Sequence, residues 1–301
     1  MAAAAALRFA EIGFDNGTSA RNIYVYTSIP ARDFSVMSAA RPLFRPSRVL
    51  RVLRAGESAT CLKLNLCDPR IVEIAGIAGI DAVWLCNEHV PNDWLNLEHQ
   101  IRAARLHDVD TIVRVGKGSY SDFLKPFEAD ATGIMVPHVT TAEEARRIVG
   151  WTRFYPVGRR ALDGGNTDGR FCMAPLADYL EYSQRERYII LQIESPEALA
   201  NVEEIAAVPG YEMLLFGPGD YSHLIGKPGQ LDAPEVVDAR RRIALAARKH
   251  GKFAMSAGLI APRVTLESEG YRFFNLGADV IGMGDFVRRQ LHDFAQAASQ
   301  A

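Results

Sequence analysis

Little in this chain of 301 residues points to thiolate metal sites, membranes or nucleic acids. Its four cysteines include no C-x-x-C pair, so a zinc site built from thiolates is not expected. It contains no apolar run of about 18 residues, the length that spans a membrane. Its formal net charge is −2, so it lacks the basic field of a nucleic-acid binding protein. We therefore expect reduced thiols, a cytoplasmic location and no membrane or nucleic-acid partner.

The beginning of the chain carries no clear structural period. Its first residues, MAAAAALRFAEIGF, place no basic residue before the short apolar run, which makes a poor secretory signal. We expect residues 1–45 to form an N-terminal extension. A helix is expected next, because Val49, Leu50 and Leu53 recur at helical spacing and Ser47 can cap its start.

From residue 46 onwards, strand-like and helix-like segments alternate. The strand-like segments are residues 60–66, 82–87, 111–115, 133–139, 188–194, 213–217, 253–257 and 280–284. The last helical candidate covers residues 286–298 and carries the apolar residues Phe286, Leu291, Phe294 and Ala295. Eight βα units of this total length predict an α/β fold, a (β/α)8 TIM barrel over residues 46–301. A doubly wound open sheet is the alternative, although it does not require eight regular repeats.

One segment interrupts the alternation. Residues 155–185 separate the fourth predicted helix from the fifth predicted strand and are rich in Gly and Asp. Long insertions in barrels often form lids or subunit contacts, and a tolerated surface excursion is the alternative. Asp163 and Asp168 could approach the site of a neighbouring subunit, but they are expected to stabilise turns.

Two carboxylates end neighbouring predicted strands. Glu194 closes the apolar run YIILQIE, and Asp220 follows the next strand along the chain. Active sites of barrels lie at the carboxyl ends of the strands, where a Glu facing a cation avoids the cost of burying it unpaired. Two oxygen ligands suit a Mg, Mn or Co ion that keeps several waters. A helix cap at Asp220 and an Arg partner for Glu194 are the alternatives.

Several motifs together resemble the HpcH/HpaI aldolase family. They are DAVWLCNEHVPND, VRV, MVPHV, YPVGRR, LQIE and FGPGDYS, and their order and spacing agree from about residue 48 to residue 286. The resemblance implies a (β/α)8 barrel whose last helix is often exchanged between subunits of a trimer or hexamer. It also implies a divalent metal and the reversible cleavage of a 4-hydroxy-2-oxo acid to pyruvate and an aldehyde.

The resemblance further implies a metal and substrate site. Glu194 and Asp220 match the two metal ligands, and Gln192 matches a residue that contacts bound water and substrate. The backbone around Pro218 and Gly219 matches the loop that receives the substrate carboxylate. A 2-oxo acid that chelates the metal would have its carbonyl polarised, which stabilises the enolate formed when a C–C bond breaks.

Two further residues match catalytic positions of the family, Arg114 at the keto oxygen and His89 as the catalytic histidine. Family members usually carry an Asp three residues before this His, where this chain has Cys86. A thiol is mostly neutral at pH 7 and is a weak hydrogen-bond partner, so the difference concerns proton transfer rather than metal binding. Glu88 is not the partner of the His in the family pattern.

Other interpretations remain open from the sequence. Lys63, in the first predicted strand, could form a Schiff base with a ketone, or pair with a carboxylate or point outward. His138 could line the pocket, although a structural role is expected. A related lyase acting on another 2-oxo acid or an acyl-CoA is a second candidate, and a non-catalytic protein that binds a 2-oxo acid is a third.

Overall fold

The computed structural model describes residues 43–298, so the predicted extension at residues 1–45 lies outside the described residues except for its end. Eight parallel strands close into a barrel in sequence order. They are β1 (Ala59–Leu64), β2 (Ala82–Cys86), β3 (Asp110–Arg114), β4 (Gly133–Val136), β5 (Tyr188–Ile193), β6 (Met213–Phe216), β7 (Phe253–Ser256) and β8 (Tyr271–Ala278). The predicted (β/α)8 barrel is therefore confirmed.

Helices surround the barrel and link its strands. They are α1 (Arg48–Arg54), α2 (Pro69–Ile77), α3 (Trp94–Leu106), α4 (Tyr120–Glu128), α5 (Ala142–Thr152), α6 (Leu176–Glu186), α7 (Pro196–Ala200), α8 (Val202–Ala206), α9 (Pro218–Leu224), α10 (Pro234–Lys249), α11 (Arg263–Glu269) and α12 (Asp279–Ala298). The Ser47 side chain accepts a hydrogen bond from the Leu50 amide, which confirms the predicted cap of α1.

The eighth strand lies earlier in the chain than the sequence predicted. β8 pairs with both β1 and β7, whereas residues 280–284, which were predicted to form this strand, belong to α12. The strand ends because the Asp279 carboxylate accepts hydrogen bonds from the backbone amides of Asn65 and Leu66, each 2.9 Å away. The β-branched residues Val280 and Ile281 resemble a strand in sequence, but they occupy an exposed part of the helix.

The interior of the barrel is filled by side chains that alternate along each strand. This cluster includes Cys61, Trp84, Ile112, Met135, Ile190, Leu215, Met255 and Phe273, and α1 packs against it through Val49, Leu50 and Leu53. Side chains two residues further along a strand point to the same face. Lys63, Cys86, Arg114 and Gln192 therefore point into the barrel at the carboxyl ends of β1, β2, β3 and β5.

The insertion at residues 155–185 contains α6 and is fixed to the end of α4. The Arg170 guanidinium lies 3.0 Å from the Asp130 carboxylate, and both side chains are buried. Asp130 follows α4 just before β4 begins, at the opposite end of the barrel from Glu194. These contacts tie this part of the insertion to the amino-terminal end of the strands.

Asp163 and Asp168 both have local partners within the insertion. Asp168 is buried and lies 2.7 Å from the Arg160 guanidinium. Asp163 accepts a hydrogen bond of 2.8 Å from the Gly165 amide, as in a turn. Asp163 therefore supports a turn, as expected, whereas Asp168 holds Arg160 in a buried ion pair.

The last helix, α12, exposes its apolar side chains. Among the described residues, Phe286, Leu291 and Phe294 are each more than half exposed. No helix in residues 43–298 combines the length and the hydropathy that a membrane span requires. The rest of the described chain therefore does not cover Phe286, Leu291 and Phe294.

Candidate active site

Glu194 is a buried carboxylate at the carboxyl end of β5, with 1% of its side chain exposed. Its Oε1 accepts a hydrogen bond of 2.7 Å from the His138 amide, and its Oε2 accepts one from the Gln192 side chain. Burial raises the pKa of Glu194 to about 8, and the nearby carboxylates of Asp220 and Glu88 act in the same direction. Glu194 is therefore a carboxylate whose negative charge the described residues leave poorly compensated.

The loop after β6 brings Asp220 beside Glu194. Asp220 lies in the first turn of α9, which begins at Pro218, and Gly217 precedes the helix. A Cβ added at Gly217 would lie 2.7 Å from both the Cβ and Oε2 atoms of Glu194. Only glycine therefore allows β6 to approach Glu194 this closely. Gly219 and Asp220 are exposed, so this loop faces the open mouth of the barrel.

The arrangement around Glu194 fits a divalent cation. A cation between Glu194 and Asp220 would neutralise two neighbouring carboxylates, one of which is buried. The Oε1 atom of Gln192 is also buried and has no hydrogen-bond partner among the described residues. Within residues 43–298, no three His, Cys, Asp or Glu side chains are grouped as a metal site. A cation held by two carboxylates would keep waters or take further oxygens from a ligand.

Arg114 is buried at the end of β3 and is held on several sides. Its Nη2 donates a hydrogen bond to the Cys86 sulfur over 3.0 Å. Its Nε lies 3.0 Å from Oε2 of Glu88, although the two atoms are not aligned for a hydrogen bond. The guanidinium carbon lies 4.8 Å from the centre of the Trp84 ring. The orientation of this positive charge is therefore fixed before any ligand binds.

Glu88 links the polar residues of the mouth, a role that the sequence did not reveal. Besides its contact with Arg114, its Oε2 lies 3.4 Å from Nε2 of His89, and its Oε1 lies 3.4 Å from Nε2 of His138. The side chain of His89 is 59% exposed, and the hydrogen bond that links His89 to Cys86 comes from its backbone amide. The imidazole of His89 therefore has Glu88, and not Cys86, as its neighbour.

His138 was expected to be structural, but it lies within the candidate site. Its Nδ1 is 3.0 Å from Oε1 of Glu194, so its ring lies between Glu194 and Glu88. Its backbone φ of 52° is in the left-handed region, which is uncommon for a residue with a side chain. Trp84, Cys86 and Glu88 are spaced two residues apart, so the spacing along β2 could have placed Glu88 on the inner face. The position of His138 depends instead on its unusual backbone conformation.

Lys63 also reaches the mouth of the barrel, from β1. Its Nζ lies 5.5 Å from the centre of the Trp84 ring, the same ring that Arg114 contacts. Burial lowers the pKa of Lys63, and the positive charge of Arg114 lowers it further. Two cations thus share one aromatic side chain on neighbouring parts of the site.

Comparison with known proteins connects this site to a family of enzymes. Residues 60–283 match the family described as HpcH/HpaI aldolase/citrate lyase. A 5-keto-4-deoxy-D-glucarate aldolase from Klebsiella pneumoniae is 33% identical over 219 residues, which are 73% of this chain and 82% of that protein. A hydroxypyruvate/pyruvate aldolase from Pseudomonas aeruginosa is 30% identical over 252 residues, which are 83% of this chain and 91% of that protein.

A solved structure shows that the similarity extends to the fold. An HpcH/HpaI aldolase/citrate lyase family protein from Burkholderia cenocepacia J2315 is 29% identical and superposes with a TM-score of 0.76. The match covers 83% of this chain and 99% of that one. The whole barrel of the relative therefore has a counterpart here.

Proposed function

We propose that this chain, a carbon–carbon lyase belonging to the HpcH/HpaI aldolase/citrate lyase family, reversibly cleaves a 4-hydroxy-2-oxo acid to pyruvate and an aldehyde. The observation that carries the proposal is the buried carboxylate of Glu194 beside Asp220 at the mouth of the barrel. This pair suits a divalent cation, and the fixed guanidinium of Arg114 suits a developing negative charge. The four free thiols fit a reducing compartment, and we propose the cytoplasm.

In this proposal, Glu194 and Asp220 hold a Mg, Mn or Co ion, and Gln192 keeps the Glu194 carboxylate in place. When bound, such an ion supplies Lewis-acid polarisation of the substrate carbonyl. The backbone at Pro218 and Gly219 receives the carboxylate of the 2-oxo acid.

The chain's own groups then act on the bond between C3 and C4. As this bond breaks, its electron pair stays with the pyruvate half as an enolate, and C3 is later protonated. Arg114 holds the enolate oxygen with a guanidinium that needs no rearrangement. The 4-hydroxyl must lose its proton to a base, and we assign this role to His89. The Glu88 carboxylate lies 3.4 Å from Nε2 of His89 and would orient its imidazole.

We also propose that the protein is a homo-oligomer, a trimer or hexamer, in which α12 packs on a neighbouring subunit. In a (β/α)8 barrel, the helix that follows the last strand normally covers β8 and β1. It lies between the helices that follow β1 and β7. Here α12 is exposed, and so are Ile77 of α2 and Val264 of α11, which flank that position. An α12 from a neighbouring subunit would cover these apolar side chains.

The proposed reaction is tested by pyruvate release from a set of 4-hydroxy-2-oxo acids in the presence of Mg, Mn or Co. We expect pyruvate and the matching aldehyde in equal amounts. The presence of Cys86 at a position that is usually Asp in the family favours a second candidate, a protein that binds a 2-oxo acid without cleaving it. Tight metal and pyruvate binding, with no cleavage and no addition of any aldehyde to pyruvate, would favour this second candidate over the lyase.

A further inference from the structure

His138 contacts the buried carboxylate of Glu194 through its backbone as well as through its ring. Its amide donates a hydrogen bond of 2.7 Å to Oε1 of Glu194. The residue makes this contact with a backbone φ of 52°, in the left-handed region, which disfavours any residue that carries a Cβ. The surrounding structure must therefore stabilise this conformation if the amide is to stay on Glu194.

The carbonyl of His138 has a charged partner, Lys117. This lysine follows β3, and its Nζ donates a hydrogen bond of 2.5 Å to the His138 carbonyl oxygen. No backbone amide in residues 43–298 donates to the same oxygen. The amide of His138 is thus directed at Glu194 while its carbonyl is held by Lys117, and the two contacts together define the backbone turn at this residue.

Lys117 is itself anchored to α5. Its Nζ lies 2.7 Å from Oε1 of Glu144, whose side chain is only 9% exposed. The Oε2 atom of Glu144 accepts a hydrogen bond of 3.1 Å from the Thr140 amide, and Glu144 lies in the first turn of α5. The position of Nζ is therefore set by a nearly buried carboxylate, and the contact joins the loop after β3 to the loop after β4.

We propose that Lys117 is a positioning residue for the metal site: it stabilises the left-handed conformation of His138 and so keeps the His138 amide on Glu194. This inference rests on the proposed function, because it assumes that Glu194 binds a divalent cation. Among the described residues, the ion-pair partner of Lys117 is Glu144 and not Glu194, so Lys117 acts through the backbone of His138. A carboxylate that is already held in place loses less freedom when it binds a cation.

The test measures Mn binding to chelator-treated protein by calorimetry. Lys117→Met should weaken binding about fivefold, because His138 would then occupy the left-handed conformation for only part of the time. Lys117→Arg can still donate to the His138 carbonyl and to Glu144, so it should recover most of the affinity. Lys249→Met is the matched control, since Lys249 at the end of α10 forms the same kind of ion pair with Glu203, over 2.8 Å, and should leave Mn binding unchanged.

Two variants of His138 test the backbone explanation directly. Glycine adopts the left-handed region about as readily as the right-handed one, whereas alanine disfavours it by about tenfold. Lys117→Met should therefore weaken Mn binding about fivefold when it is combined with His138→Ala, but less than about twofold when it is combined with His138→Gly. Both variants of His138 lack the imidazole, so the difference between them reports on the backbone alone.

The possible outcomes separate this inference from the aldolase proposal. Unchanged Mn affinity in Lys117→Met, equal losses with His138→Ala and His138→Gly, or a large loss of stability of the metal-free Lys117→Met protein in urea would overturn the inference. If the Mn affinities change as expected but no 4-hydroxy-2-oxo acid is cleaved, the aldolase proposal fails and the role of Lys117 stands. If cleavage is found while Lys117→Met binds Mn like the parent, the role of Lys117 fails and the aldolase stands. A parent protein that binds no Mn would overturn both the inference and the proposed metal site.

Discussion

The Nη2 atom of Arg114 donates a hydrogen bond to the sulfur of Cys86 over a distance of 3.0 Å. Both side chains are buried, and the backbone amide of His89 meets the same sulfur at 3.4 Å. Cys86 therefore contacts both residues to which we assign catalytic roles. Its contact with Arg114 involves the guanidinium, whereas its contact with His89 involves only the backbone amide and not the imidazole. We infer that Cys86 acts mainly by positioning Arg114.

Cys86→Ala should lower kcat about tenfold, because Nη2 of Arg114 loses its acceptor and hydrogen bonds to charged groups contribute about 1.5–3 kcal/mol. Cys86→Asp should recover turnover relative to Cys86→Ala, since a carboxylate accepts the same hydrogen bond more strongly. Steady-state kinetics on one 4-hydroxy-2-oxo acid measures both. Cys61→Ala is the control, because this thiol lies in the same barrel interior but contacts Asn275 rather than Arg114. If both variants of Cys86 match the parent, this residue only fills space.

Arg114→Lys should lower kcat by about 100-fold while changing metal affinity less than about threefold. The reason is that a lysine cannot reproduce a planar guanidinium that contacts Cys86 and Trp84 at once and still holds an oxygen of the substrate. Turnover is measured together with metal binding by calorimetry. Arg102→Lys, on the exposed side of α3, is the matched control. Near-normal turnover in Arg114→Lys would remove Arg114 from the enolate oxygen.

Removal of divalent metal should abolish turnover, and Mg, Mn or Co should restore it. Metal at 100 times its dissociation constant should also add about 2.7 kcal/mol to the free energy of unfolding of chelator-treated protein. The thermal midpoint should rise accordingly. Glu194→Gln should lose both effects because it removes the buried carboxylate, while the exposed control Glu197→Gln should keep them. Full turnover in excess chelator, with borohydride trapping of substrate on Lys63, would replace the metal mechanism by Schiff-base chemistry.

The fold could be predicted from the sequence wherever burial alone decides the structure. Seven of the predicted strands agree with β1–β7 to within a few residues, because their apolar runs are bounded by polar turns. The eighth could not be predicted, since Val280 and Ile281 favour a strand locally. The outcome depends on Asp279, whose carboxylate binds the amides of Asn65 and Leu66 from a distant part of the chain.

The candidate site could be predicted only in part for a similar reason. Glu194 and Asp220 follow consecutive strands, so the closed barrel brings them together whatever their other contacts are. The contacts of Glu88 with Arg114 and His138 join three different strand ends, and no spacing in the sequence encodes them. Sequence therefore predicts which residues reach the mouth better than it predicts which of them pair.

Gly217→Ala should weaken metal binding at least tenfold, because the new Cβ would lie 2.7 Å from Glu194 and 2.9 Å from Nε2 of Gln192. Both side chains would have to move, although neither is changed chemically. Metal affinity measured by calorimetry is the readout. Gly150→Ala in α5 is the control, since nothing lies within 4 Å of a Cβ added there. Unchanged metal affinity in Gly217→Ala would place the metal away from Glu194.

The exposed helix α12 gives a prediction about assembly. Leu291 and Phe294 are exposed in the described chain, and an exposed apolar helix face of this kind marks an interaction surface. Light scattering of the parent protein at micromolar concentration should therefore give a trimer or hexamer of the 33.2 kDa chain. Replacing both residues by Glu should shift the population to smaller species, because each buried charge would cost several kcal/mol. Gln290→Glu with Gln296→Glu adds the same charge at polar positions of α12 and should leave the assembly intact. A parent protein that stays monomeric would show that α12 is not an intersubunit helix.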